Sequence, residues 1–206
     1  MSIHQIVRRV LKEEFEKQEV LEIPSLKIFG KRNGVAWFRL QELLEKMGNP
    51  PYSIGGDLDL SELPIESLGN LTSVGGNLNL FGVQIKSLGN LVSVGGDLDL
   101  RATQIQSLGK LKTVEGYLDL ESTPIKSLGN LTSVYGYVDL TRTPIESLGD
   151  LTYVDNYLDL EGTPIQSLGN LQSVRGDLNL RFTQLSKMYS KKELREKINV
   201  GGKIYL

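Results

Sequence analysis

Carboxylate and tyrosine side chains recur at fixed positions of a 20-residue repeat, and they are the groups most able to do chemistry. They alternate with leucine in the pattern Asp-Leu-Asp-Leu, which is typical of a short strand with one buried and one exposed face. The exposed positions form three columns. The first column contains Asp57, Asn77, Asp97, Tyr117, Tyr137, Tyr157 and Asp177. The second column contains Asp59, Asn79, Asp99, Asp119, Asp139, Asp159 and Asn179. The third column contains Ser61, Phe81, Arg101, Glu121, Thr141, Glu161 and Arg181.

The second column predicts strong electrostatic repulsion, because strands of successive parallel coils lie about 4.8 Å apart. At that spacing and an effective dielectric constant near 20, each pair of neighbouring carboxylates costs about 3 kcal/mol. Cations, raised pKa values, hydrogen bonds or a basic partner must offset this cost. Three interpretations follow: a solvated ladder held by hydrogen bonds, a binding face, or the acid pair of a carbohydrate-active β-helix enzyme. The last arises because retaining glycosidases place two carboxylates about 5 Å apart.

The columns favour a binding face for a protein partner with a basic or cationic surface. Tyrosine is enriched at the centres of interfaces, and a Lys or Arg side chain can contact carboxylates and ring faces together. The three tyrosines are expected to stack at the coil spacing. The predicted binding residues are Asp99, Arg101, Tyr117, Asp119, Tyr137, Asp139, Tyr157, Asp159 and Arg181.

The composition argues against catalysis and against several other functions. The chain has no cysteine and a single histidine, His4, so we expect no catalytic, cofactor or metal site and no enzyme activity. Residues 51–185 carry 16 Asp and Glu against 8 Lys and Arg, which disfavours nucleic acid. No apolar run is long enough for a membrane span, and the first residues lack the apolar region of a signal peptide. We therefore expect a cytoplasmic protein, or a virion-associated one if it is phage-encoded, and leave its oligomeric state open.

The repeat itself predicts the architecture. Its period is 20 across residues 55–174, and a seventh copy begins at Arg175. One unit cannot bury its six apolar residues alone, so units must stack around a shared core. We predict a mainly β repeat solenoid with one parallel sheet of about eight short strands. Glycine recurs at two corners of the coil, with Asn156 in place of one of them, and positive φ angles are expected there. The six apolar positions of the first unit are Leu58, Leu60, Ile65, Leu68, Leu71 and Val74.

The pattern Leu-x-Leu-x-x-Thr-x-Ile resembles the leucine-rich repeat, and the GG-x-L-x-L…SLGNL-x-SV wording is similar to receptor L-domain-type repeats and to short phage and bacterial leucine-rich repeats. The resemblance covers residues 55–206 and implies a right-handed stack. It also implies an asparagine ladder that bonds the backbone between coils. Threonine stands at that position here, from Thr103 to Thr183, and is expected to do part of the same work.

The sequence predicts a capping segment at each end of the solenoid. We therefore divide the chain into an N-terminal capping module at 1–54, a solenoid at 55–185 and a C-terminal cap at 186–206. Ser2 with Gln5 predicts an N-capped helix, Asn33-Gly34 predicts a hairpin turn, and residues 40–47 predict a second helix. Residues 47–54 echo the end of a repeat unit. Ser190 with Glu193 predicts a C-terminal helix, followed by one more strand at 201–206.

Residues 25–53 resemble the opening of the phage Bro-N type domain, which pairs a hairpin with a Trp-Phe and a helix ending in Gly-Asn-Pro. The resemblance implies DNA binding and supports an alternative function, a nucleic-acid-associated protein acting through residues 1–50. An exposed Trp37 ringed by Lys31, Arg32 and Arg39 would favour it. The competing interpretation places Trp37 and Phe38 in the core of the cap.

Overall fold

Two short parallel strands form in each 20-residue coil, one at the Leu-Asp pair and one at the Ser-Val pair. The structure, a computed structural model, describes residues 20–26 and 33–206. Strands of successive coils pair in register, as in Asp119 with Asp139 and Val114 with Val134. The described chain is therefore a parallel β-solenoid, and the predicted repeat architecture is confirmed.

The strands form two sheets. The ladder sheet carries the three columns and has eight strands: β3 (Leu58–Asp59), β5 (Leu78–Asn79), β7 (Leu98–Asp99), β9 (Leu118–Asp119), β11 (Val138–Asp139), β13 (Leu158–Asp159), β15 (Leu178–Asn179) and β17 (Ile204–Tyr205). The Ser-Val sheet has nine strands: β1 (Leu21–Ile23), β2 (Tyr52–Ile54), β4 (Leu71–Val74), β6 (Ser93–Val94), β8 (Thr113–Val114), β10 (Ser133–Val134), β12 (Tyr153–Val154), β14 (Ser173–Val174) and β16 (Asn199–Val200).

The Ser-Val sheet is a finding that the one-sheet prediction did not contain. Most of its strands are only two residues long, too short to show an alternating pattern in the sequence. Both sheets cover a single core, where all six predicted apolar positions of a central coil are fully buried. These residues are Leu118, Leu120, Ile125, Leu128, Leu131 and Val134.

The two glycine corners have different causes. Gly129, like its equivalents in the other coils, has a positive φ of 58°, as predicted. The second corner does not need positive φ. A Cβ on Gly136 would lie 2.5 Å from the carbonyl carbon of Gly116, so glycine is needed there because neighbouring coils approach closely. A third corner was missed: Ala102, Ser122 and Arg142 all adopt left-handed φ angles of 56–60°.

The threonine ladder works within coils rather than between them, so this part of the prediction is wrong. Thr123 Oγ1 donates a hydrogen bond to the Leu120 carbonyl of its own coil at 2.7 Å, and Thr143 donates to Leu140 at 2.6 Å. These threonines are buried, so each hydroxyl closes its own turn where the strand ends.

The N-terminal module differs in part from the prediction. Asn33 begins a helix, α1 (Asn33–Lys46), so the predicted hairpin turn at Asn33-Gly34 is wrong, and the predicted helix is longer than 40–47. Trp37 is 1% exposed and lies in the core, but Phe38 is 48% exposed and does not. The predicted helix after Ser2 lies outside the described residues, as do His4, Lys31 and Arg32.

The echo of the repeat at residues 47–54 is confirmed by strand pairing. Strand β2 lies between β1 and β4, with Ser53 opposite Ser73. The Tyr52 hydroxyl donates to the Leu68 carbonyl at 2.8 Å and accepts a hydrogen bond from Gln41 at 2.9 Å. This pair of bonds fastens α1 to the first coil.

The C-terminal segment contains two short helices, α2 (Leu185–Met188) and α3 (Lys191–Lys197), followed by β16 and β17. Ser190 and Glu193 form the predicted capping box at the start of α3. The predicted last strand is also confirmed, because Ile204 pairs with Leu178. None of the helices in the described part of the chain is both long and apolar enough to cross a membrane.

Candidate binding face

The Asp and Asn side chains of the first column accept hydrogen bonds from the backbone of the next coil. Asp57 Oδ1 accepts the backbone N–H of Asn77 at 2.8 Å, Asn77 Oδ1 accepts that of Asp97 at 2.8 Å, and Asp97 Oδ1 accepts that of Tyr117 at 3.0 Å. At the other end, Asp177 accepts the N–H of Lys203 at 2.7 Å. The bonding between coils that was expected of threonine is thus made here.

The second column closes the turn that follows each strand. Every side chain in it accepts the backbone N–H of the residue two positions later, at 2.8 Å for Asp139 and 3.1 Å for Asp119. Asn179 makes the same bond at 3.2 Å. The column is therefore first a set of turn acceptors, and Asn does this work as Asp does.

Burial divides the predicted binding residues of this column. Asp99 and Asp119 are each only 7% exposed, so a partner has little access to them. Asp139 and Asp159 are half-buried and reach the surface. Burial and the charge of Asp139 raise the pKa of Asp119, and the Glu121 N–H and Arg101 oppose that shift.

Arg101 is an internal counter-ion rather than a free binding group. Its guanidinium donates to both carboxylate oxygens of Asp99, at 3.0 and 2.6 Å, and lies 3.4 Å from Asp119. It also lies over the Phe81 ring, 5.7 Å from the centroid. These contacts relieve the repulsion that the column predicts.

Arg181 has a matching arrangement at the other end of the ladder sheet. It donates to Asn179 at 3.0 Å and to Glu161 at 2.7 Å, and lies over the Tyr205 ring at 5.6 Å. Asn179 also donates to Asp159 at 2.9 Å. Asp159 therefore has polar partners from its own chain.

The tyrosine column stacks in part. The rings of Tyr117 and Tyr137 are parallel within 10°, with centroids 4.9 Å apart, as predicted. Tyr157 instead donates its hydroxyl to Asp159 at 2.7 Å, and burial and this bond raise its pKa. The Tyr117–Tyr137 pair thus presents a continuous aromatic surface, and Tyr157 fixes Asp159.

The stacked rings lie beside a cluster of three carboxylates, one of which has no ion pair within the described residues. Oxygens of Asp119, Glu121 and Asp139 come within 4.8 Å of one another. Arg142 pairs with Glu121 at 3.0 Å, but Asp139 has only Thr141, which donates from its N–H at 2.8 Å and its hydroxyl at 2.7 Å. Within residues 20–26 and 33–206, no ion pair involves Asp139. We call Tyr117, Tyr137, Asp119, Glu121 and Asp139 the Asp139 site.

A cationic group suits the Asp139 site chemically. Carboxylate oxygens can also hold a hard metal ion. Two of these three carboxylates already face arginines, however, and a flat ring pair lies beside them. A guanidinium or ammonium with an apolar stem can use both features at once.

Sequence reasoning missed a second aromatic group, on the Ser-Val side. Tyr135, which is 47% exposed, contacts Tyr153 with 5.6 Å between centroids. The Tyr153 hydroxyl donates to Asp155, which pairs with Arg175 at 2.9 Å. The signal was present in the sequence, because Tyr135 and Tyr153 replace the Gly and Ser of other repeats.

The exposed Trp37 that nucleic-acid contact would require is not found in helix α1. The Trp37 side chain is on the buried face of this helix, so its ring is not available to stack on a base. Lys31 and Arg32 of the same hypothesis lie outside the described residues.

None of the protein-family models, curated proteins or solved structures compared with this chain matches it. The assignment to a repeat β-solenoid therefore rests on the 20-residue period and on the strand pairing.

Proposed function

We propose that this chain is a non-enzymatic binding protein of leucine-rich-repeat type, which holds a protein partner with a basic surface at the Asp139 site. One observation carries the proposal. The stacked Tyr117 and Tyr137 rings lie beside Asp139, whose carboxylate has no cation from the described part of its own chain. A partner's Arg or Lys would supply that cation.

The rigidity of the face favours binding. The backbone N–H of Thr141 fixes Asp139, and the coil spacing fixes the two rings. Side chains held before binding lose little entropy when a partner arrives, so more of the contact energy becomes affinity.

The surrounding charge favours the same partner. The solenoid at 51–185 has twice as many acidic as basic residues, and the arginines of the ladder sheet are already engaged with its own side chains. An acidic surface attracts a basic partner and speeds its association, in a way that salt weakens.

The setting we propose is a bacterial or phage protein, cytoplasmic or virion-associated. The cysteine-free sequence suits a reducing compartment, and the short repeats are similar to those of phage and bacterial leucine-rich proteins. A regular solenoid also suits the role of a rigid component in a larger assembly.

Affinity capture from a bacterial lysate tests the proposal, with the immobilised protein as bait and mass spectrometry as readout. The test variant replaces Tyr117, Tyr137 and Tyr157 by Ala, and the control replaces Tyr135 and Tyr153, an aromatic pair on the other sheet. We expect a basic protein that the parent and the control retain and the triple variant loses. Equal capture by all three baits would place the working surface elsewhere.

A further inference from the structure

We infer, on the basis of the function proposed above, that the Asp139 site takes an arginine side chain from its partner in preference to a lysine. Two arginines of this chain, Arg101 and Arg181, already lie in the third column of the ladder sheet and show how that sheet holds a guanidinium. Thr141 occupies the same column between them, in the coil of Asp139.

The first of these arginines binds the second-column carboxylate of its own coil. Arg101 donates from Nε to Asp99 Oδ1 at 3.0 Å and from Nη2 to Asp99 Oδ2 at 2.6 Å. Its Nε also lies 3.4 Å from Asp119 of the next coil. Two parallel N–H groups thus match the two oxygens of one carboxylate, which the single point charge of an ammonium group cannot do.

The second arginine adds an acceptor from the coil before it. Arg181 donates from Nε to Asn179 Oδ1 at 3.0 Å and from Nη2 to Glu161 Oε2 at 2.7 Å. Glu161 is the third-column residue of the preceding coil. A guanidinium in this column therefore reaches a second-column side chain of its own coil and a third-column side chain of the coil before.

The coil of Asp139 has both kinds of acceptor but no arginine. Asp139 holds the second-column position, and Glu121 holds the third-column position of the coil before. Oxygens of these two carboxylates come within 4.8 Å of each other, a separation that the planar fork of one guanidinium can bridge. The N–H and hydroxyl of Thr141 both donate to Asp139 Oδ1, so within residues 20–26 and 33–206 Asp139 Oδ2 accepts no hydrogen bond.

The Tyr117–Tyr137 pair suits the rest of an arginine side chain. Each ring precedes its carboxylate, Asp119 or Asp139, by two residues, so rings and carboxylates lie on the same face of the sheet. The apolar stem of an arginine can pack on the aromatic surface while its guanidinium reaches the carboxylates. An ammonium is more strongly hydrated and stacks less well on aromatic rings, so it gains less from the same surface.

An arginine built into the chain tests the inference. Thr141→Arg places a guanidinium of the protein itself where the partner's guanidinium would lie, so it should fill the site. The matched control is Ser61→Arg. The N–H and hydroxyl of Ser61 donate to Asp59 as those of Thr141 donate to Asp139, but no tyrosine stands two residues before Asp59.

The probes are two fluorescent peptides of one amphipathic helical sequence, with Leu on one face and either Arg or Lys at every basic position. Anisotropy titrations at one ionic strength compare the parent, the two arginine variants and Asp139→Asn. We expect the parent to bind the Arg peptide roughly five- to tenfold more tightly than the Lys peptide. This preference should disappear in Thr141→Arg and in Asp139→Asn, and it should persist in Ser61→Arg.

The outcomes separate this inference from the proposed function. Equal affinity of the parent for the two peptides, with both weakened by Asp139→Asn, would overturn the preference for arginine and leave the proposed function standing. Binding of neither peptide in a way that depends on Asp139 would contradict both.

A preference for the Arg peptide that survives in a folded Thr141→Arg variant, as judged by circular dichroism, would also overturn the inference. If that variant does not fold, Asp139→Asn decides alone. Asn keeps the turn bond, as Asn79 and Asn179 do, and removes the carboxylate that the guanidinium requires. A preference retained by Asp139→Asn would therefore have the same meaning.

Discussion

The second-column residues show how one side chain serves two purposes. Asn79 and Asn179 accept the same backbone N–H that the aspartates accept, at 3.0 and 3.2 Å, so the turn does not require a charge. The negative charge of Asp99, Asp119, Asp139 and Asp159 is thus an addition to the structural role. Arg101, Tyr157 and Asn179 offset much of it, and Asp139 is left most available.

Asp119→Asn tests this separation of roles. Because the folded protein raises the pKa of Asp119 above 3.8, the folded state binds more protons than the unfolded state between the two pKa values. Protonated Asp119 therefore favours the folded state. This stabilisation is complete at a pH below the pKa of Asp119 in the unfolded chain, and it is lost as the pH rises through the higher pKa in the folded chain. We therefore expect Asp119→Asn to be more stable than the parent at pH 7, with an advantage that shrinks towards pH 4.

Urea unfolding across this pH range measures the effect. Asp119→Ala is the matched variant, since it also removes the acceptor for the Glu121 N–H and should lower the free energy of unfolding by roughly 1–3 kcal/mol. An Asn variant as unstable as the Ala variant would show that the charge itself is needed for the fold.

The strands are short, and hydrogen bonds and packing between neighbouring coils, rather than strand length, stabilise them. Most strands have two residues, and each interior strand pairs with the equivalent strands of the coils before and after it. Close approach of the coils is therefore a structural requirement of its own. Glycine meets it at the corner before every ladder strand except β13, where Asn156 stands.

Gly136→Ala and Gly129→Ala separate close approach from backbone conformation. A Cβ at Gly136 would clash with backbone atoms of Gly116 and Tyr117, which no side-chain movement relieves, so we expect a loss of about 3 kcal/mol or more. Gly129 has a φ of 58° and nothing near its Cβ position, so only the left-handed strain of about 1–2 kcal/mol applies. Thermal unfolding of the two variants decides, and a smaller loss at Gly136 would contradict this account of the corner.

Sequence reasoning reached the elements that repeat strongly and missed those that depend on contact between coils. The period of 20 predicted the core and the ladder sheet, because leucine alternation is visible within each unit. The Ser-Val sheet, the role of Gly136 and the intracoil bond of Thr123 depend on where the neighbouring coil lies. The same applies to the site: the Tyr117–Tyr137 stack was predicted, but the burial of Asp99 and Asp119 and the engagement of Arg101 were not.

On the scale of the whole molecule, the solenoid is one continuous core closed by dissimilar ends. Helix α1 covers the first coils through Trp37 and Tyr52, and α3 covers the last coil through Leu194 and Arg195. The interior repeats are acidic and the C-terminal segment is basic, with 6 Lys and Arg against 2 Asp and Glu over residues 186–206.

Deletion of residues 186–206 tests the role of the C-terminal segment. The truncated chain would expose the core beneath Val174, Leu178 and Leu180 together with two bare strand edges. We expect it to form soluble oligomers and to unfold at a lower temperature. Sedimentation velocity provides the readout, and a monomer as stable as the full chain would show that the segment is not a cap.

The most direct test of the proposed function is the affinity of the Asp139 site for a cationic probe. A fluorescently labelled helical peptide with Arg and Leu on one face is titrated against the parent, Asp139→Asn and Asp59→Asn in an anisotropy assay. Asn keeps the turn bond in both variants, and Asp59 has the same role at an exposed position outside the site. We predict that Asp139→Asn weakens binding by roughly three- to tenfold, about 0.7–1.4 kcal/mol, while Asp59→Asn leaves it unchanged. Equal affinity of the parent and Asp139→Asn for the peptide would contradict the account.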